Sequence, residues 1–203
     1  IVADKFKTEH HEFILSGENY FDNLLNVIKS KDSPLLSPNE VAWYILSFHL
    51  KKDITVVLSG SGADELFGGY GRIFRSGDDL ERFNNLENFK EEDRKIFVEN
   101  LKEKYPNLDF SSTINHFLNQ YSYLKDSLKR KLLNPEVFNL EDDLLNKKYF
   151  KSFFTKLSGL RPAEQYLYIF QNMHLLGTLE SLDSVTMPAS VEARAPYVDY
   201  KLV

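Results

Sequence analysis

Apolar residues along this chain change their spacing as it proceeds, and the changes predict where strands give way to helices. His11-Glu-Phe-Ile-Leu15 is a short run with β character, closed by Ser16-Gly17. Phe21, Leu24, Leu25 and Ile28 then recur at helical spacing and predict a helix over 20–28. Ser37-Pro-Asn-Glu40 combines a Ser N-cap, Pro at the first helical position and Glu three residues after the cap. The helix it opens runs to Leu50, with Val41, Tyr44, Ile45 and Phe48 on its apolar side. Ile54-Thr-Val-Val-Leu58 is β-branched and almost wholly apolar, as in a strand buried on both faces of a parallel sheet.

From about residue 78 the pattern reads as helices only, over 79–86, 90–104, 112–132 and 162–182, the last opened by Pro162. The stretch 135–158 reads as shorter helices. Tyr166, Phe170 and Met173 share a helical face and are expected in the core. Lys90-Glu-Glu-Asp-Arg-Lys95 is expected on a solvated helix face. Ile1–Phe6 reads as the end of a helix whose start is missing, and Lys201–Val203 stops within continuing structure, so the 203 residues read as an internal piece of a longer protein.

Composition narrows the functional classes. Lys and Arg total 25 against 30 for Asp and Glu, a net charge of −5, which does not attract a phosphate backbone and speaks against nucleic-acid binding. There is no Cys, so disulfides, thiolate metal sites and a cysteine nucleophile are excluded, and a reducing compartment fits. No apolar run approaches the roughly 18 residues a membrane span needs.

Candidate chemistry concentrates in one segment. Five of the nine glycines fall within Ser59-Gly-Ser-Gly-Ala-Asp-Glu-Leu-Phe-Gly-Gly-Tyr-Gly71, directly after the apolar strand. Ligands of open α/β sheets bind at that edge. Gly60 and Gly62 let backbone N–H groups approach an anion, and a helix starting near Ala63 would add its positive end. Asp64 and Glu65 beside such an anion would repel it unless a divalent cation intervened, and oxygen ligands suit Mg²⁺. The plainer reading is an ordinary turn followed by acids complementing a helix dipole. Neither the dinucleotide fingerprint nor the Walker A pattern is present.

The whole string resembles the signature of the asparagine synthetase family in its ATP-dependent synthetase domain. Leu182-Asp-Ser-Val-Thr-Met-Pro-Ala-Ser-Val-Glu-Ala-Arg-Ala-Pro-Tyr-Val-Asp199 is similar to a second block of that family, and His10-His-Glu12 to a third, in the same order. The resemblance implies a partial ATP-pyrophosphatase α/β fold, a parallel sheet flanked by helices. It implies one synthetase domain over 1–203, with a partial nucleotide-binding region over 1–77 and a helical region over 78–203. The family's phosphate loop and glutaminase domain do not occur in these residues.

The implied reaction is amidation of a carboxylate, typically aspartate, through an acyl-adenylate, with ATP and Mg²⁺ and ammonia from a glutaminase domain. The implied setting is the cytoplasm, with no nucleic-acid or membrane partner and room for a homo-oligomer. Ser59, Gly60, Ser61 and Gly62 match positions around ATP or AMP, and Asp64 and Glu65 match positions at Mg²⁺–pyrophosphate. Where the family commonly has a Glu taking part in amide formation, this chain has Ser61, whose hydroxyl cannot replace a carboxylate base. The catalytic residue is therefore unassigned. Ser184 stands where the family often has Arg. Two alternatives stay open: a relative acting on a sugar acid, peptide or β-amino acid, and a non-catalytic homologue serving as a scaffold. Adjacent His10 and His11 read as surface residues, Glu192 and Arg194 as a structural ion pair, and Asp183 and Asp199 as caps or cleft-shaping residues.

Overall fold

A computed structural model describes residues 1–105, 109–136 and 140–203 of the chain. The elements are α1 (Val2–Phe6), α2 (Gly17–Lys31), α3 (Asn39–Leu50), β1 (Val56–Leu58), α4 (Ala63–Phe67), α5 (Gly71–Asn84), α6 (Glu91–Lys104) and α7 (Thr113–Tyr121). There follow α8 (Asp126–Leu132), α9 (Leu140–Lys156), α10 (Pro162–Ile169), a π-helical turn (Phe170–His174), α11 (Leu175–Thr186) and β2 (Glu192–Arg194). The chain is mostly helical, with one small parallel sheet. It divides into two compact units, the first made of residues 1–62 and 175–203, the second of 63–174. Among the described residues no helix is long and apolar enough to cross a membrane.

In the first unit, Ser16 caps α2 by accepting the Asn19 N–H at 3.1 Å. The buried stripe of α2 is turned relative to the expected one. Val27 is buried and Leu24 half-buried, while Phe21 and Leu25 face outward. Val27, Val41 of α3 and Val185 of α11 form the core, flanked by Tyr20, Leu24, Leu35 and Trp43. Glu40 is fully buried at its edge. Its carboxylate takes the Lys31 ammonium at 2.7 Å, the Leu36 N–H at 3.2 Å and the Ser181 hydroxyl. The capping box expected at Ser37 is not formed. Glu40 instead ties α2, α3 and α11 together, because a buried carboxylate must fill its lone pairs with whatever donors the core offers.

The expected strand at 11–15 is absent, and Ile14 is 81% exposed. A strand exists only through a hydrogen-bonding neighbour, and none lies beside this run among the described residues. β1 keeps only the last three residues of its expected span and pairs parallel with β2 in the register Val56–Glu192, Val57–Ala193, Leu58–Arg194. It is not buried on both faces, since Leu58 is 70% exposed. β2 also breaks the helices-only reading of the second half. Its Glu192 and Arg194 share a face and form the expected ion pair, Nε to Oε1 at 2.9 Å.

The second unit is helical among its described residues. Phe117, Phe154, Tyr166, Ile169 and Phe170 form its core, with Tyr70, Phe74, Tyr121 and Met173 packed against it. Pro162 opens α10 as expected, helped by Glu164 accepting the Arg161 N–H at 3.0 Å. Residues 140–156 form one helix rather than several short ones, and the span 112–132 is split between α7 and α8. His116 of α7 is fully buried against Phe110 and Tyr105. Its Nε2 lies 3.0 Å from the Ser76 carbonyl, which can only accept, so Nε2 carries the hydrogen. Nδ1 has no partner among the described residues, and burial holds the imidazole below its ordinary pKa.

Two outcomes follow. Lys31→Met leaves the Glu40 charge buried without its counter-ion and should cost about 3–5 kcal/mol in urea unfolding. For His116, the folded pKa is lowered, so the unfolded chain binds the proton first. Above about pH 6.5 the group contributes nothing; as pH falls below it, stability declines by at most about 1.4 kcal/mol per pH unit. Unfolding at pH 7.5 and 5.5 should show a shallower decline in H116Q than in the parent protein.

Candidate functional site

The glycine-rich segment starts where β1 ends, and its first four residues belong to the first unit. The pairing of β1 with β2 reaches one residue into the turn, where the Ser59 N–H donates to the Arg194 carbonyl at 2.7 Å. That amide is therefore spent on the sheet, and Ser59 offers its hydroxyl to the turn. The Ser59 hydroxyl accepts the Ser61 N–H at 3.1 Å and shares a hydrogen bond with the Ser61 hydroxyl at 2.7 Å. Gly60 is exposed, and a Cβ there would meet no atom within 4 Å. The open flank of the turn is at this residue.

Gly62 is buried with φ +90°, a conformation L side chains rarely adopt. A Cβ would lie 2.5 Å from Cγ1 of Val198 and 3.4 Å from Cδ1 of Leu175. Two sequence blocks far apart in the chain thus meet within one unit: the Ser59–Gly62 turn and the 182–199 segment. Asp199 lies exposed beside Val198 and accepts the Lys201 N–H at 2.8 Å. Asp183 is exposed on α11, and the Ser184 hydroxyl donates to the Ser181 carbonyl at 2.9 Å. His10 and His11 are both exposed, with His11 Nε2 3.3 Å from Glu9.

Asp64 and Glu65 belong to the second unit, on the five-residue helix α4. Adjacent helical residues point about 100° apart, and these two have opposite environments. Asp64 is exposed. Its Oδ1 occupies the space over Gly69, where a Cβ would come within 1.8 Å, and its carbonyl accepts the Gly69 N–H at 3.0 Å. Glu65 is 2% exposed. Its Oε1 accepts the Tyr70 hydroxyl at 2.7 Å and lies 3.8 Å from Nε2 of His174. The other ring nitrogen of His174, Nδ1, is 2.9 Å from the Tyr121 hydroxyl.

Burial, then the Glu65 carboxylate, push the Tyr70 phenol far above its ordinary pKa, so it stays protonated and donates. Burial lowers the His174 pKa, against the pull of Glu65. The spacing of Tyr166, Phe170 and His174 shows a polar residue ending an apolar helical stripe, and Tyr70 closes the glycine string. Tyr70 stands five residues from Glu65 in that string, but nothing local in the sequence joins either to His174 or Tyr121.

Among the described residues no group of three or more His, Asp or Glu side chains could hold a metal ion alone. Asp64 presents an exposed oxygen donor, which fits a Mg²⁺ that takes one or two carboxylates and completes its shell from substrate phosphates and water.

A family model described as asparagine synthase matches residues 1–203. Asparagine synthetase (glutamine-hydrolyzing) 1 of Bacillus subtilis strain 168 is 28% identical over 193 residues, covering 92% of this chain and 30% of that protein. Asparagine synthetase (glutamine-hydrolyzing) 3 of the same organism is 25% identical over 203 residues, covering 100% of this chain and 28% of that protein. The chain thus spans under a third of the length of these curated relatives. No solved structure matches it.

The packing at Gly62 sets an outcome for the turn. Gly62→Ala should destabilise the protein by about 2–4 kcal/mol, combining the strained φ with the clash on Val198. Val198→Ala in the same chain should recover part of that loss, because it removes the atom struck. A double-mutant cycle by urea unfolding reads the coupling, and a neutral G62A would show that the turn is not held in this conformation.

Proposed function

Because the chain belongs to the asparagine synthase family, we propose that it is part of a synthetase that uses ATP to convert a carboxylate into an amide. The observation carrying this reading is the Ser59–Tyr70 string, in which a parallel strand ends in an open glycine turn and an exposed acid follows it. The fold proposed for the whole domain is the ATP-pyrophosphatase α/β sheet, of which β1 and β2 would be a part. Aspartate is the proposed acceptor, and glutamine the proposed source of ammonia.

In the proposed reaction a carboxylate oxygen attacks the α-phosphorus of ATP, and pyrophosphate leaves to give an acyl-adenylate. Ammonia then attacks the acyl carbon, AMP departs with the C–O bond electrons, and a proton is lost to leave the neutral amide. Ser59, Gly60, Ser61 and Gly62 would lie along the nucleotide. Gly60 allows close approach of the ligand because no side chain stands there, and the Ser59 and Ser61 hydroxyls are neutral hydrogen-bond partners. Asp64 would hold Mg²⁺. When bound, that ion neutralises charge building on the departing pyrophosphate. Glu65 is buried and bonded to Tyr70, which favours a supporting task for it over direct ligation.

A second reading, favoured by Ser61, is amidation or ring closure of a different carboxylate. The position offers a hydroxyl where a carboxylate would otherwise handle the ammonia proton.

The test is exchange of labelled pyrophosphate into ATP by the full-length protein. Aspartate-dependent exchange is expected, and Asp64→Asn should lower it by about a hundredfold, the usual cost of removing a charge-stabilising group. Exchange with another carboxylate but not with aspartate would select the second reading. Exchange with no carboxylate would end the enzymatic account and leave a scaffold.

A further inference from the structure

We infer that Tyr70, His174 and Tyr121 are positioning residues that hold Asp64 in place by anchoring its neighbour Glu65 to the aromatic core of the second unit. The inference rests on the metal role proposed for Asp64 and extends it to residues that make no contact with the metal.

The argument begins with the length of α4. A helix of five residues has almost no stability of its own, since nucleation alone is unfavourable. Its direction must be fixed from outside. Connections at its end and from its middle contribute to this. At its end, the Gly69 N–H closes onto the Asp64 carbonyl at 3.0 Å. From its middle, Glu65 descends into the core, where Tyr70 donates to Oε1 at 2.7 Å and His174 stands 3.8 Å from the same atom.

His174 is itself held. Its Nδ1 meets the Tyr121 hydroxyl at 2.9 Å, and its ring lies 4.9 Å from Phe170 and 5.6 Å from Tyr70. Tyr121 stacks on Phe117 at 5.1 Å, and Phe117 is fully buried at the centre of the core. A continuous path of contacts therefore runs from the rigid core to Glu65. The π-helical turn Phe170–His174 contributes His174 to this path, and such single turns within helices are frequent at functional sites.

The cost of this arrangement also speaks for positioning. Burying a carboxylate in an aromatic setting is unfavourable unless it is paired and hydrogen-bonded. A salt link on the surface would fix a helix at less desolvation cost, but its long exposed side chains would leave Asp64 more freedom. A core anchor restricts that freedom, because packed aromatic rings have few alternative arrangements.

The experiment uses the full-length protein and Tyr70→Phe, which keeps the ring and removes the hydroxyl. Three measurements are made: amide hydrogen exchange over Ala63–Phe67, Mn²⁺ binding in the presence of ATP followed by electron paramagnetic resonance, and the Mg²⁺ dependence of pyrophosphate exchange. Y70F should speed amide exchange in Ala63–Phe67 about tenfold, as expected for losing a hydrogen bond to a charged group. It should weaken Mn²⁺ binding severalfold and raise the half-saturating Mg²⁺ concentration, while the rate at saturating Mg²⁺ recovers.

Loss of rate at every Mg²⁺ concentration, with Mn²⁺ binding unchanged, would mark a merely structural role and overturn the inference. So would a folded Y70F with unchanged amide exchange and Mn²⁺ affinity. Should Y70F fail to fold, His174→Gln is read by the same criteria. Asp64→Asn separates the two levels. If D64N leaves Mn²⁺ binding intact, the metal role falls and this inference with it. If D64N loses Mn²⁺ while Y70F keeps it, only the inference falls.

Discussion

The three-residue parallel pairing of β1 with β2 is the constraint from which the first unit's part of the site follows. A strand at 56–58 and another at 192–194 can pair only if the chain between them returns, and the entropy of closing so long a loop grows slowly with its length. Once the register is set, the Ser59 amide is committed to Arg194, and the turn begins at a fixed point. Val198 follows β2 closely enough to cover Gly62, and that contact admits no side chain. The turn's left-handed residue and the segment after β2 therefore specify one another. The buried Lys31–Glu40–Ser181 cluster serves the same unit, binding α11 to α2 and α3 through one carboxylate.

Asp64 and Glu65 show how two identical chemistries acquire different tasks. A single residue of offset on a helix turns one carboxylate to solvent and the other into an aromatic core. The exposed acid keeps its carboxylate oxygens open to solvent, which is what the metal role proposed for it requires. The buried one has an oxygen engaged by a phenol that burial keeps protonated. Only the first can exchange ligands readily, because doing so requires no desolvated charge to be left without a partner.

Signals carried by a few consecutive residues were legible in the sequence. The Pro162 helix start, the solvated Lys90–Lys95 face, the core role of Tyr166 and Phe170, and the Glu192–Arg194 pair all appear as expected. Each depends on periodicity or on neighbours within four positions. Features that depend on distant partners were not legible. Residues 11–15 have strand-like composition but no neighbouring strand among the described residues. Phe21 and Leu25 have the right spacing for a buried stripe, yet Val27 took the core position because Val41 and Val185 meet it there. Ser37 and Glu40 form a recognisable capping sequence, but the buried Lys31 ammonium and Ser181 hydroxyl drew Glu40 away. The glycine string was visible as a candidate site in the sequence, while the path from Glu65 to Tyr121 spans elements that only the fold brings together.

Ser61 bears most directly on what the site can do. Its hydroxyl is 2.7 Å from that of Ser59, so the two form a closed neutral pair at the open end of the turn. Such a pair can donate to a phosphate or carbonyl oxygen without carrying charge, which suits binding of an anionic nucleotide better than removal of a proton from an ammonium-like centre. A carboxylate here would be repelled by the same phosphates unless a cation stood between them. A hydroxyl there carries no charge to repel a phosphate and is no base at neutral pH. The first half of the proposed reaction needs anion stabilisation, for which the Ser59–Gly62 turn offers neutral hydrogen-bond partners. The second half needs a proton acceptor, and the turn provides none. In the proposed reaction that group would come from elsewhere in the protein or from the acceptor itself, so Ser61 bears on the amide-forming half rather than on nucleotide binding.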